Sequence, residues 1–469
     1  MIPANRFTKT AAVLALFLAG SVQAGDWKDL FNSADLEGWK QLGGTARYAV
    51  EGDSIVGYTV PDSPNSFLVT EQNYSDFILE YEVYVDPIMN SGVQIRSHLN
   101  DKGQVYGYQV EIDPSVRRFT GGIYDEARRK WMYPLSRNEK GRDAFKNGGW
   151  NHFRVEAIGD SLQVWVNGIQ TAALVDELTA EGFIGLQVHS IGDPQLAGRT
   201  VRWRNLRIQT DDLEANRTPR DPDVEEISFL NNRLTAYEVR QGWRLLWDGE
   251  TVKGWRGAKL DNFPRSGWTI EDGVLTVEAT DGGESTGPGD IVTIDQFSNF
   301  DLQFDFRITE GANSGVKYFV DPELNTGDGS AIGCEFQVLD DAVHPDAKMG
   351  VNGNRTIGSL YDLITAENYS AEGRKKQFKG VGQWNQGRVV SDNGRVEHWL
   401  NGEKVVEFDR HSQMFRALVA YSKYQVWPGF CQWPAGHILL QDHGDAVSYT
   451  HLTLPTMRLR CRSRWSPGH

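Results

Sequence analysis

The chain has 469 residues, a net charge of −15, 49 glycines and 11% aromatic side chains. That acidity argues against nucleic acid and anionic membrane surfaces as partners. The length suffices for two or three domains, and abundant glycine with little helical periodicity points to all-β domains joined by turns.

Residues 1–24 read as a secretory signal peptide: Arg6 and Lys9, an apolar run from Ala11 to Ala19, then small residues ending at Ala24. The run is shorter than the roughly 20 residues of a spanning helix, and Ser21 offers no thiol for lipid attachment. Cleavage is expected after Ala24, leaving a periplasmic or secreted protein with no membrane attachment. Residues 25–210 form a first domain of strands with period two; Leu79, Tyr81, Val83 and Val85 share one face of "LEYEVYVD". In its later strands Gln109 and Glu111 share the opposite, polar face, as do Gln187 and His189. Residues 211–241 are charged and contain Pro219 and Pro222, the composition of a linker, with one short helix expected around residues 224–233.

Residues 242–446 repeat the first domain in order. "YSDFILEYEVYVDPIMNSGVQIRS" returns as "FSNFDLQFDFRITEGANSGVKYFV", "GYQVEID" as "GCEFQVLDD", "GGIYDE" as "GSLYDL", and "GFIGLQVHSIGD" as "GHILLQDHGD". In "LQFDFRI" Leu302, Phe304, Phe306 and Ile308 take one side, and Gln303, Asp305 and Arg307 the other. Many short strands without a βαβ rhythm, about 200 residues to a domain, predict two tandem jelly-roll β-sandwiches. A Cys334–Cys431 bridge is available in an oxidising compartment; the plainer reading of Cys334 is a small buried hydrophobe alternating with Phe336 and Val338.

Candidate chemistry gathers in the second copy. Glu335 and Gln337 lie opposite Phe336 and Val338, while Gln441 and His443 lie opposite Ile438 and Leu440. The long connection from Asp340 to Ile364 adds Asp340, His344, Tyr361 and Asp362, and "YSKYQVWPGF" adds Lys423 and Trp427. Carboxylate, amide and imidazole beside aromatic rings suit sugar hydrogen bonding, acid–base work or metal ligation. The competing reading is an ordinary solvated sheet face. No HExxH, zinc-spaced cysteines, P-loop or nucleophile elbow is present.

The combination of "NSGVKYFV", "EFQVLDDAVHPDAK", "GSLYDLI", "VEHWLNG", "SKY" and "GHILLQDHGD" resembles the 3-keto-disaccharide hydrolase domain family, in both copies and more completely in the second. The resemblance implies concanavalin-like (laminin-G-like) sandwiches, export, and an oxidised 3-keto sugar as substrate, cleaved by deprotonation at C2, elimination and hydration. It assigns His443, Glu335 and Lys423 to catalysis, with Gln337, Asp340, His344, Tyr361, Asp362 and Gln441 around the substrate. No cofactor is certain; one divalent metal ion is the alternative Lewis acid. In the first copy a divergent second site would draw on Arg96, Gln109, Glu111, Tyr124, Asp125, Gln187 and His189. A noncatalytic carbohydrate-binding protein of the same fold is the alternative function.

The tail, residues 447–469, opens "VSYTHLTLPT", which looks like a translated sequencing-library adapter. It is expected to be an artefact that deprives the second sandwich of its last strand and exposes a neighbour's edge.

Overall fold

The computed structural model describes residues 27–280, 289–327, 329–369 and 376–455. The predicted signal peptide and residues 456–469, with Cys461, lie outside them.

Alternation builds two β-sandwiches. In the first, a nine-stranded sheet faces a seven-stranded one; in the second, an eight-stranded sheet faces a five-stranded one, among the described residues. The strand Phe77–Val85 lies between Asn151–Ile158 and Thr200–Gln209 and turns Leu79, Tyr81, Val83 and Val85 into the first core. Its counterpart Phe300–Ile308 turns Leu302, Phe304, Phe306 and Ile308 into the second. Side chains at every second position reach the core, so each domain has one apolar interior and two outward faces.

The outer face of Phe300–Ile308 is only partly solvated: Arg307 is exposed and Asp305 half-buried, but the rest of the face is covered. Gln303 is buried there and hydrogen-bonds Glu225 of the linker. Arg137 of the first sandwich reaches across to Glu225 (3.3 Å) and to Gln386, and Ser136 Oγ donates to the Gly402 carbonyl (2.7 Å). The two sandwiches therefore meet through a buried polar layer. Within the linker Ile227–Ser228 adds in parallel to Ile169–Val175. The helix forms later than expected, at Ala236–Arg240, because Thr235 and Glu238 supply a capping box there, whereas residues 227–228 are claimed by a sheet edge.

The last strand of the second sandwich is present, contrary to expectation. Val447–Pro455 pairs with Phe300–Ile308, Val274–Val277 and Trp243–Leu245. Val447, Tyr449, Leu452 and Leu454 are buried in the core. The alternation is interrupted by a bulge at which His451 takes φ 50°, and the first copy has the same break at Asn205, φ 51°. A bulge shifts the phase by one residue, so the pattern that looked broken still puts Leu452 and Leu454 inward, as Leu206 and Ile208 are in the first copy.

Cys334 and Cys431 form a disulfide, with Cα atoms 6.0 Å apart and a sequence separation of 97. Cys334 lies on the strand Ile332–Leu339, and Cys431 ends the segment that carries Lys423 and Trp427. The bond ties that segment to the strand beneath it.

Candidate active site

The five-stranded sheet places three strands side by side: His437–Leu440, Asn313–Asp321 and Ile332–Leu339. Neighbouring strands are about 4.8 Å apart, so outward residues at matching register meet. Lys317 is paired with Glu335 and Gly315 with Gln337, and the Gln441 amide N–H donates to the Gly315 carbonyl (3.0 Å). Asn313, Lys317, Glu335, Gln337, Gln441 and His443 thereby line one cavity of about 230 Å³, walled by Tyr361, Lys423, Tyr424 and Trp427. A Cβ at Gly315 would push the Glu335 carboxylate out of its present position, so glycine leaves room for it there.

Hydrogen bonds fix the groups in sequence. Gln337 Nε2 donates to Asn313 Oδ1 (2.9 Å), and Asn313 Nδ2 donates to His443 Nε2 (3.2 Å). In that arrangement His443 Nε2 carries a lone pair rather than a proton. Lys317 Nζ lies 3.7 Å from Glu335 Oε2 and donates to Ser330, which in turn donates to Asp290. Burial raises the Glu335 carboxyl above its ordinary value, outweighing the pull of Lys317, Lys423 and His443. Tyr361 is held by its amide N–H to the Glu335 carbonyl (3.1 Å) and by its hydroxyl to Asp346 Oδ2 (2.8 Å). Lys423 lays its ammonium over the Tyr361 ring, 4.3 Å from the centroid. Much of Lys423 is exposed, but its charged end is desolvated; that lowers its pKa, with Glu335 opposing and Lys317 adding to the effect. Gln337 Oε1 and Gln441 Oε1 are buried without a protein partner, leaving acceptors for a ligand's hydroxyl groups.

Of the nine residues expected in this site, Glu335, Gln337, Tyr361, Lys423, Gln441 and His443 line the cavity. Three do not. Asp340 is buried as a loop cap, accepting from the N–H groups of Gly311 (2.9 Å) and Ala342 (3.1 Å). Asp362 pairs with Arg355 (2.7 Å), which also holds Asp346 (2.8 Å), so it braces the loop behind Tyr361. His344 packs edge-on against the His443 ring, centroids 6.4 Å apart, and takes the Asp346 N–H on Nδ1. Asn313 and Lys317 were missed; their signal was the Asn of "NSG", present in both copies, and a lysine in phase with it. Among the described residues no group of three or more His, Cys, Asp or Glu side chains is arranged to hold a metal, so the divalent-ion alternative has no donor set among them.

The first sandwich has a pocket at the equivalent place. Asn90, Gln109, Glu111, Tyr124, Gln187 and His189 line it with Trp131 and others. Arg96 and Asp125 do not. Arg96 sits at a bulge, φ 46°, and its buried guanidinium binds the carbonyls of Ser75 (2.7 Å) and Gly159 (2.8 Å) and the Asp76 carboxylate (2.9 Å). Asp125 is buried between Arg128 and Arg129. Both are structural anchors.

Comparison with known proteins matches the 3-keto-alpha-glucoside-1,2-lyase-like domain to residues 26–209 and again to 242–454. A 3-keto-disaccharide hydrolase of Bacteroides thetaiotaomicron is 33% identical over 236 residues, covering 46% of this chain and 79% of that protein. Among solved structures, a candidate glycosyl hydrolase from Parabacteroides distasonis is 28% identical, with TM-score 0.40, covering 49% of this chain and 100% of its own. The carbohydrate-binding module CBM66 from Bacillus subtilis is 17% identical, with TM-score 0.27, over 37% of this chain and 95% of the module. Among the described residues no helix is long and apolar enough to cross a membrane.

Proposed function

The chain belongs to the 3-keto-alpha-glucoside-1,2-lyase-like family in two tandem copies, and from that premise we propose that the second sandwich cleaves 3-keto-glycosides, 3-keto-disaccharides among them, at the bond between C1 and its oxygen substituent. The observation that carries this reading is the convergence of Glu335, Lys423 and His443, with Gln337 and Gln441, in one cavity of about 230 Å³, a size for one sugar ring. Beside the aromatic wall of Tyr361, Tyr424 and Trp427, the carboxyl, ammonium and imidazole supply an acid, a cation and a base, more than sugar binding alone requires.

A ketone at C3 acidifies the proton on C2. His443, oriented by Asn313, takes that proton, and the C–H electron pair passes into the enolate at O3. The Lys423 ammonium stabilises the oxygen as charge develops. The enolate collapses, the C1–O bond breaks, and Glu335 gives its proton to the departing oxygen. Water then adds across the new double bond: its oxygen bonds C1 while the Glu335 carboxylate takes back a proton from it, and His443 returns its proton to C2, which completes net hydrolysis. Gln337 Oε1 and Gln441 Oε1 accept from ring hydroxyls. Export to the periplasm or beyond fits a substrate of this kind and the N-terminal pattern of residues 1–24.

The test is turnover of a 3-keto-glycoside by the full chain and by His443→Ala. Loss of about 10²–10⁴ in kcat/KM is expected for removal of a general base. Unchanged turnover removes the assignment.

A further inference from the structure

We propose that the first sandwich holds a second saccharide site, for a neutral sugar, whose pocket is completed by Gln377 of the second sandwich.

The pocket measures about 420 Å³ and draws Asn65, Gln109, Glu111, Tyr124, Trp131 and Gln187 from the first sandwich but Gln377 from the other domain. Gln187 carries the main argument. It is fully buried, and neither its Oε1 nor its Nε2 has a hydrogen-bond partner. An unmet donor and acceptor at one buried amide cost free energy that a ligand hydroxyl, which both donates and accepts, would restore. The aromatic rings of Tyr124 and Trp131 add an apolar wall, the usual complement to a sugar's C–H face.

The chemistry differs from that of the second pocket because the carboxyl and amide have exchanged places. Gln109 stands where Glu335 stands, opposite Gln94 rather than opposite a lysine, and Glu111 stands where Gln337 stands, opposite Gly92. Asn90 Nδ2 (2.7 Å) and Gln109 Nε2 (2.9 Å) both donate to Glu111. The cations of this pocket are engaged: Arg117 binds Asp113 (2.6 Å), and Lys130 donates to the Lys379 carbonyl (3.4 Å). Nothing equivalent to the pairing of Lys317 with Glu335 remains, and burial moves Glu111 to about 7, toward its uncharged form. The pocket is therefore fitted to a neutral ligand.

Gln377 is held in place by its own domain. Its carbonyl accepts from Asn401 Nδ2 (2.6 Å), and the preceding Lys376 donates to Asp341 (2.9 Å), Thr356 (2.9 Å) and the Ile357 carbonyl (2.8 Å). The backbone on this side of the pocket is thus held before a ligand arrives, which reduces the entropic cost of binding.

Titration calorimetry of the full chain with glucose and with 3-keto-glucose tests this. One class of sites is expected to weaken tenfold or more in Gln187→Ala and severalfold in Gln377→Ala, while Gln441→Ala weakens a separate class. Gln377→Ala lies outside the first sandwich, so its effect cannot come from misfolding of that domain; a thermal unfolding scan controls for Gln187→Ala. Absence of binding by both sugars, or a single class abolished by Gln441→Ala and indifferent to Gln187→Ala, overturns the second site. A Gln187-sensitive class indifferent to Gln377→Ala overturns its completion across the domain boundary.

Discussion

Glu335 faces two ammonium groups, yet burial makes its carboxyl hold a proton more tightly than a free one. A carboxyl in that condition suits a proton donor. Glu335→Gln should slow cleavage of a sugar leaving group by about 10²–10⁴ and barely affect a nitrophenyl group, which departs without a proton; equal losses on both would sink the role. As pH rises through the raised pKa the donor is lost, so kcat/KM should fall on the alkaline side at a pH above that of an ordinary carboxyl. Glu111 makes a related point about stability. Its folded value of about 7 exceeds the ordinary 4.5, so the native state binds more protons between the two. Stability from this group is complete below pH 4.5 and declines as pH rises to 7, by about 3 kcal/mol. Glu111→Gln should therefore raise the melting temperature at pH 8 relative to the parent and not at pH 4.5. At this scale alternation made Glu335, Gln337, Gln441 and His443 legible. It did not separate Arg96 and Asp125 from the pocket, because a bulge and a pair of arginines decide where those side chains go.

The strand Val447–Pro455 shows how an element survives an unpromising sequence. Its inward positions are apolar on both sides of the bulge at His451, and its other requirements are backbone hydrogen bonds that any residue but proline supplies. The fit is incomplete: Thr453 is fully buried, and its hydroxyl has no partner. Thr453→Val keeps the shape and removes the orphan group, so it should stabilise the second sandwich by about 1 kcal/mol in urea denaturation. A chain ending at Ala446 should lose the cooperative unfolding transition of the second sandwich and keep that of the first. Retention of both transitions would mean that the strand is dispensable. The segment carrying Lys423 illustrates the opposite dependence. Its local sequence forms only a short turn, and its place over Glu335 is secured by the Cys334–Cys431 bond and by Tyr424 stacked on Phe430, centroids 4.1 Å apart.

Across the whole molecule the two copies meet at hydrogen-bonded and charged groups, among them Arg137, Glu225, Gln386 and Ser136. Burial raises Asp305 to about 6 and lowers Lys379 to about 8, and each partly offsets the other. Asp305 contributes least to stability above pH 6, and Lys379 contributes least below pH 8, so the cost of holding both charged is greatest between these values. Replacing both, Asp305→Asn with Lys379→Met, should raise the melting temperature most at pH 6–8, with the gain fading toward pH 4 and pH 10; either change alone strands the other group and should do worse. A gain independent of pH would show that the charges are not responsible. The sequence by itself determined the duplication, the sandwich class and which side of each strand is polar, since a period of two and a repeated pattern are local properties of the chain. Only the tertiary structure decided that Lys317 meets Glu335, that Asp340 caps a loop, that Gln303 is buried between domains and that Gln377 closes its neighbour's pocket. Those outcomes depend on register between strands distant in the chain and on how two finished domains dock, and neither is written in the spacing of residues along one strand.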